Sequence, residues 1–195
     1  MPCRRLPLVG VAVAIVVAGC GLLSTRDPEP PVTGNAANPP AFSAETVISN
    51  LSASFANKNV SDYAKIFGDT STLGRAYVFV PTQQASATYA GFFSHWNVDA
   101  EMNYFRKAVS SVSSAFTPVV NFGAPTVTQY HSDSTLYEAD YTVFISPTTY
   151  EGHARFAMMP NKNTGVWAIY RWEDYTSTQS PQSPTWSDLK GQFSQ

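Results

Sequence analysis

The pattern of apolar and polar positions divides most of the chain into a helical part and a strand-rich part that follows it. Ser43 is a suitable N-cap, and after it apolar residues recur at helical spacing, at Val47, Ile48, Leu51 and Phe55. A second short helix is predicted after Asn59, and a third from Asp99. Between these two, residues 74–81 predict a strand, and residues 82–98 show no regular period.

After Pro118 the apolar period changes to two, which is the period of a strand. Four strands are predicted, at residues 118–131, 134–146, 150–160 and 165–175. Their short connections favour an antiparallel meander. The predicted fold class is therefore α+β, with element order α-α-β-α-β-β-β-β. A last helical turn, capped by Thr185, is expected to dock Trp186, Leu189 and Phe193 onto the body of the domain.

The N-terminal segment has the pattern of a secretory leader. Arg4 and Arg5 precede the apolar run "LPLVGVAVAIVVAG", which is short for a membrane span. The run ends in "VAGC", which resembles the bacterial lipobox. This pattern predicts a lipoprotein signal peptide over residues 1–19, cleavage between Gly19 and Cys20, and acylation of Cys20. An ordinary secretory signal and a single anchor helix are the alternatives.

The rest of the chain divides into three predicted regions. Residues 20–42 carry the lipidated cysteine and a proline-rich tether, residues 43–176 form the domain, and residues 177–195 form a tail with a short docking turn. The expected location is the bacterial cell envelope, with membrane lipid as a partner through acylated Cys20. Gly21 is not the aspartate that favours retention in the inner membrane, and so the outer membrane is favoured.

Composition excludes several classes of function. The formal net charge is −2 and no basic run is present, which argues against a nucleic-acid partner. The two cysteines, Cys3 and Cys20, leave none for a disulfide within the mature domain. Glu151 and His153 share a strand face without a third ligand at recognisable spacing, and no phosphate-binding loop or nucleophile elbow is present. Neither a metal nor a cofactor is therefore expected.

Three stretches carry a family resemblance: "SNLSASFANKNVSDYAKIFGDT", "HWNVDAEMNYFRKAV", and "WAIYRWEDY" followed by "TWSDLKGQF". Together they resemble the nuclear-transport-factor-2-like superfamily over residues 43–193. This superfamily, also called cystatin-like, includes ketosteroid isomerase, scytalone dehydratase and the SnoaL-like polyketide cyclases. The resemblance implies three helices packed in the concave face of a strongly bent antiparallel sheet, with a conical pocket between them. It implies a pocket but no particular reaction.

Aromatic residues are the candidates for lining that pocket. The set is Tyr63, Phe67, Trp96, Tyr104, Phe105, Tyr137 and Tyr141. They are compatible with a site for a small apolar or ring-bearing ligand, and equally with ordinary core packing. His95, near the entry to the third helix, and Asp140 are the outside candidates for catalysis.

Strand parity sorts the charged residues of the sheet. Glu173 and Asp174 point to opposite faces, and Tyr170 is expected on the same face as Trp172. A cross-strand charged face is predicted from Glu138, Asp140, His153, Arg155, Arg171 and Glu173. This face is interpreted as facing solvent or a second copy in a homodimer. If it instead lines the cone, Glu138 and Asp140 are the candidate bases.

These observations favour a membrane-anchored binding protein without catalysis, with a small apolar ligand or a partner protein as its target. The first alternative is a pocket enzyme, an isomerase or dehydratase of a small apolar substrate. The second is a structural accessory module that dimerises through its sheet. The side chains that face the cone discriminate among the three. A histidine or carboxylate buried there beside a tyrosine favours an enzyme, a purely apolar cone favours binding, and a filled cone favours an interaction module.

Overall fold

The structure, a computed structural model, describes residues 37–131 and 133–195. The predicted signal peptide, Cys20 and nearly all of the tether therefore lie outside the described residues. Within the described residues, no helix has both the length and the apolar character needed to cross a bilayer.

Two of the predicted helix starts are confirmed by their capping hydrogen bonds. The described residues form helices α1 (Ala44–Ala56), α2 (Val60–Ala64), α3 (Thr70–Leu73), α4 (Gln83–Thr88), α5 (Val98–Ser110) and α6 (Trp186–Gln192). The Ser43 side chain accepts a hydrogen bond from the Thr46 backbone N–H, and Asn59 accepts one from Asp62. Each side chain supplies an acceptor to a first-turn N–H group that has no partner inside the helix.

Two local predictions were wrong between the second and third predicted helices. Helix α5 begins at Val98, because Asn97 is its N-cap and accepts a hydrogen bond from the Ala100 N–H. Asp99 instead lies in the first turn, where a carboxylate also favours the helix dipole. The segment predicted to be irregular contains α4, capped by Thr82, and a 3-10 turn at Phe93–His95. Helix α4 buries only Ala85, so it leaves no amphipathic pattern in the sequence.

The sheet has six strands and is mixed. They are β1 (Val78–Val80), β2 (Val119–Phe122), β3 (Thr126–His131), β4 (Ser134–Ile145), β5 (Thr148–Pro160) and β6 (Trp167–Thr176). The order is β1-β6-β5-β4-β2, with β3 also paired to β4. Strands β4, β5 and β6 form the predicted antiparallel meander, whereas β1 runs parallel to β6.

The segment predicted as one strand over 118–131 is two strands. Strands β2 and β3 pair with different parts of β4, and residues 123–125 lie between them. The Gly123 N–H still donates to the Asp140 carbonyl, at 2.8 Å, so the break is a local bend rather than a departure from the sheet. Pro125, which has no N–H to donate, accounts for the interruption.

A bulge in β6 overturns one of the parity predictions. The register between β5 and β6 shifts at Ala157 and Met158, which leaves Tyr170 without a cross-strand partner. Trp172 and Ile169 both lie in the main core, while Tyr170 packs with Ala157 and Met159 in a small cluster on the other face. Tyr170 and Trp172 therefore do not share a face, because one extra residue reverses the alternation.

The main core lies between the helices and one face of the sheet. Helix α6 is part of it: Trp186 and Leu189 have no solvent exposure. The Trp186 ring meets Phe55 of α1 at 5.4 Å and Trp172 of β6 at 4.6 Å between centroids, both edge to face. Residues 185–193, predicted as a docking turn, thus occupy the centre of the domain.

Candidate functional site

A buried carboxylate lies at the centre of the cone. Glu101, in the first turn of α5, has no solvent exposure. The Tyr63 hydroxyl donates to its Oε1 at 2.7 Å, and the Tyr77 hydroxyl and Trp96 Nε1–H donate to its Oε2 at 3.0 and 2.6 Å. Helices α2 and α5, the segment before β1 and the turn before α5 therefore converge on one side chain. Three neutral donors compensate part of the cost of burying this charge.

The counter-charge comes from α6. Lys190 Nζ lies 2.9 Å from each oxygen of Glu101 and is also fully buried. The ammonium group sits 3.5 Å from the ring centroids of both Phe79 and Trp172. Burial lowers the pKa of Lys190 to about 8, although the adjacent Glu101 opposes this shift. Lys190 is therefore protonated at neutral pH. Its ammonium group contacts two aromatic rings and the carboxylate of Glu101.

A chain of hydrogen bonds links Glu101 to Trp186. Since the single Tyr63 hydroxyl proton is given to Glu101, the Tyr104 hydroxyl donates to Tyr63, at 2.8 Å. Tyr104 in turn accepts from Trp186 Nε1–H at 3.0 Å. Burial, followed by the charge of Glu101, raises the pKa of Tyr63 and of Tyr104 well above the usual value. Both phenols therefore remain neutral hydrogen-bond donors in the physiological range.

A second buried carboxylate fixes the start of α6. Asp174 of β6 accepts from the Tyr141 hydroxyl and from the Ser187 N–H, both at 2.7 Å, and from the Ser187 hydroxyl. The Tyr141 hydroxyl also accepts from the Trp186 N–H. Burial raises the pKa of Asp174. Gly152 leaves the room that Tyr141 needs, because a Cβ there would overlap the phenol oxygen. These contacts hold α6 in the cone.

The predicted charged residues meet on the opposite face of the sheet. Arg155 lies 2.7 Å from Glu138 and 3.5 Å from Glu173, and Arg171 lies 2.6 Å from Glu173. His153 Nδ1 lies 2.9 Å from Asp140, whose side chain is 70% exposed. This face lies outside the cone. Glu138 and Asp140 are therefore not bases of a cone pocket, because strand alternation directs them away from the helices.

The remaining predicted site residues are not arranged as a reaction centre. His95 is exposed on the 3-10 turn. The seven aromatic candidates, Tyr63, Phe67, Trp96, Tyr104, Phe105, Tyr137 and Tyr141, are each at most 6% exposed and belong to the main core. They fill the cone instead of lining an open pocket. Across residues 37–131 and 133–195, no three His, Cys, Asp or Glu side chains are grouped as metal ligands.

Solved structures share this architecture. A proposed scytalone dehydratase from Novosphingobium aromaticivorans aligns with a TM-score of 0.51 and 10% identity, over 69% of this chain and 81% of that one. A proposed dehydratase of the nuclear-transport-factor-2-like family from Streptomyces avermitilis aligns with a TM-score of 0.50 and 7% identity, over 67% and 90%. The domain has the nuclear-transport-factor-2-like fold.

Other comparisons limit the conclusions that follow from this structural similarity. A Bdellovibrio bacteriovorus protein aligns with a TM-score of 0.50 and 12% identity over 69% of this chain, which spans only 40% of the length of that protein. No family model matches the sequence, and no curated protein matches it significantly. At these identities the likeness to solved structures defines the fold of the domain and not its activity.

Sequence reasoning missed the pair at the centre of this domain. Glu101 resembled an ordinary first-turn acid of a helix, and Lys190 an ordinary last-turn base. A signal was nevertheless present. Glu101 shares a helix face with the apolar positions Tyr104, Phe105 and Ala108, so the apolar stripe of α5 has a charge within it.

Proposed function

We propose that this chain is a lipid-anchored protein of the bacterial envelope whose domain binds a small apolar ligand or a partner protein without catalysis. The observation that carries the proposal is the occupied centre of the cone. Both oxygens of Glu101 are engaged by Lys190 and by neutral donors, and neither side chain of the pair has solvent exposure. A general base must reach the proton that it abstracts, and Glu101 has no route to one.

A buried carboxylate beside tyrosines, as at Glu101, is the feature expected of a pocket enzyme, but catalysis also needs room for a substrate. Isomerase and dehydratase chemistry in this fold would require an acid or base facing a substrate-sized space. In this chain the position beside the buried carboxylate is filled by Lys190 of its own α6, and Trp186 of the same helix is hydrogen-bonded to the neighbouring Tyr104. Two of the similar structures are described as proposed dehydratases, but their likeness extends to the fold alone. Binding without turnover therefore fits the filled cone better.

The anchor is tested by metabolic labelling with palmitate and by membrane fractionation. We expect the unmodified chain to incorporate label and to stay with membranes, and Cys20→Ser to lose the label and the retention. Cys3→Ser is the matched control, since Cys3 lies inside the predicted leader, and it is expected to behave as the unmodified chain. Retention of Cys20→Ser in the membrane fraction after a salt wash would contradict the anchor.

Binding without turnover is tested by native mass spectrometry of the protein extracted from envelopes in neutral detergent. We expect a bound species that is recovered with an unchanged mass after prolonged incubation with the protein. Conversion of that species to a product would contradict the non-catalytic proposal, and so would the absence of any bound species across envelope extracts.

A further inference from the structure

A separate hollow of about 300 Å³ lies between residues 38–41, α1, α2 and the start of β6. Its walls are mainly apolar and are formed by Pro39, Pro40, Ala41, Val47, Ile66, Val166 and Trp167. The volume is at the lower end of the range of roughly 300–1,000 Å³ that is typical of small-molecule sites. None of the residues that build the cone centre lines this hollow.

Hydrogen bonds hold the extended segment 38–41 in place as one wall. The Asn38 N–H donates to Asp62 Oδ2 at 2.9 Å, and its side-chain amide donates to the Asn50 carbonyl at 3.0 Å. The Asn50 side chain donates back to the Pro39 carbonyl at 2.8 Å, and the Trp167 N–H donates to the Ala41 carbonyl at 2.7 Å. The hollow is therefore formed before any ligand arrives, which reduces the entropy lost on binding.

The polar groups that line the hollow differ in how many hydrogen bonds they already make. Asp62 is 2% exposed, and its carboxylate accepts from the Asn38 N–H, from the Asn59 side chain and from Lys65. The Lys65 side chain is 60% exposed, and within the described residues its ammonium group donates only to Asp62. At least one Lys65 N–H therefore remains for a ligand, since an ammonium group has three donors.

Trp167 offers a flat wall, and its ring is half-buried. Proline rings and an indole face are good surfaces for a planar apolar group. The side-chain oxygens of Asn38 and Asn50 remain as acceptors, so a hydroxyl on such a ring is also accommodated.

From this arrangement we propose that the hollow binds a small organic acid with a flat apolar body, such as an aromatic carboxylic acid. The ring packs between Trp167 and the prolines, and the carboxylate accepts from Lys65 at the mouth. The inference deepens the proposed binding function, on which it rests, but it does not depend on the lipid anchor.

The test uses 2-naphthoate and its uncharged analogue 2-naphthylmethanol as probes. Binding to the full chain in neutral detergent micelles is followed by the ¹H–¹⁵N signals of the four indole groups. Trp167→Phe assigns the Trp167 signal by deleting it. We expect 2-naphthoate to shift that signal saturably, while the signals of Trp96, Trp172 and Trp186 stay in place because those rings are buried. The uncharged analogue should bind about tenfold more weakly, since it lacks the charge-assisted hydrogen bond.

Two lysine variants test whether Lys65 supplies the positive charge that binds the carboxylate of the probe. We expect Lys65→Met to weaken 2-naphthoate about tenfold and 2-naphthylmethanol less than twofold. Lys107→Met is the matched control, because Lys107 lines another hollow, beside Trp96 and Phe193, and should leave both affinities unchanged. No saturable shift of the Trp167 signal, or equal weakening by the two lysine variants, would overturn the inference. The proposed function would survive that result if native mass spectrometry still found a ligand recovered unchanged.

Discussion

The interior and the outer face of the sheet both carry acid–base pairs, in opposite surroundings. Glu101 and Lys190 are completely buried, whereas the side chains of Arg155 and Glu138 are 41% and 21% exposed. Water screens the outer pairs and replaces their hydrogen bonds, so each contributes little to stability. A buried pair contributes little net stability as a unit, but removing one partner leaves a charge without water or a counter-ion. We therefore expect the acid–base pairs on the outer face to tolerate mutation and the buried pair not to tolerate it.

The largest effect is expected from Lys190→Met. It leaves Glu101 without its counter-charge, and the free energy of unfolding should fall by about 3–5 kcal/mol. Urea denaturation followed by tryptophan fluorescence measures the change. Lys107→Met removes an exposed lysine of the helix that carries Glu101, and a change within about 0.5 kcal/mol is expected. If the two variants lost similar free energies of unfolding, the expectation that a buried lysine matters more than an exposed one would be wrong.

The pH dependence of stability tests the same pair without changing its packing. Burial lowers the pKa of Lys190 from 10.5 to about 8 in the folded state. The resulting stabilisation is present above pH 10.5 and is lost as the pH falls through 8, because the unfolded chain then binds a proton more readily. We expect the free energy of unfolding to rise between pH 8 and 10, by at most about 3 kcal/mol.

This rise should be absent in Lys190→Met and retained in Lys107→Met. Measurements stop at pH 10 because burial raises the pKa of Tyr63, Tyr77 and Tyr104, whose contribution is lost as the pH increases further. An identical pH profile in Lys190→Met and the unmodified chain would show that the titrating group is not Lys190.

Adjacent residues of β6 give a closer comparison. Asp174→Ala removes the acceptor of the Tyr141 hydroxyl and of the Ser187 N–H, and the loss expected from these buried, unpaired groups is about 2 kcal/mol. Glu173→Ala removes a carboxylate one position earlier, on the outer face, and should cost less than about 1 kcal/mol. Chemical denaturation of both variants under one set of conditions measures the difference. A costlier Glu173→Ala would contradict the assignment of the two faces.

The smallest effect is expected from Arg155→Met. Its contacts with Glu138 and Glu173 are partly exposed to solvent, so the loss should be below about 1 kcal/mol and should diminish as salt is raised to 1 M. A loss that does not depend on salt would indicate that this face is shielded from solvent, as it would be in a homodimer. Analytical ultracentrifugation of the same samples would decide that point.

The sequence predicted the features that local chemistry determines. The caps at Ser43 and Asn59 need only a side-chain oxygen next to a helix start, and the β4–β6 meander needs only alternation and short turns. Strand alternation also separated Glu173 from Asp174 correctly. Each of these features depends on residues close to one another in the chain.

The features that the sequence did not predict depend on distant partners. The bulge at Tyr170 is defined by the register of β6 against β5. The prediction from the sequence assumed strict alternation of side chains along the strand, which an extra residue interrupts. The burial of Glu101 depends on Lys190, which lies 89 positions away. A helix start with an acid and a helix end with a base are typical of exposed helices, so neither residue indicated its own burial.

Because Glu101 and Lys190 lie 89 positions apart, the buried pair can form only when the chain extends through α6. A polypeptide interrupted anywhere in residues 177–185 carries Glu101, Tyr63 and Trp96 but lacks the cation and the indole that close the cone. Such a fragment must hold an uncompensated charge in its core or leave the core open to water. A loss of a few kcal/mol in stability is enough to lower the abundance of a protein in cells several-fold. We therefore expect truncated copies of this chain to be degraded faster than intact ones.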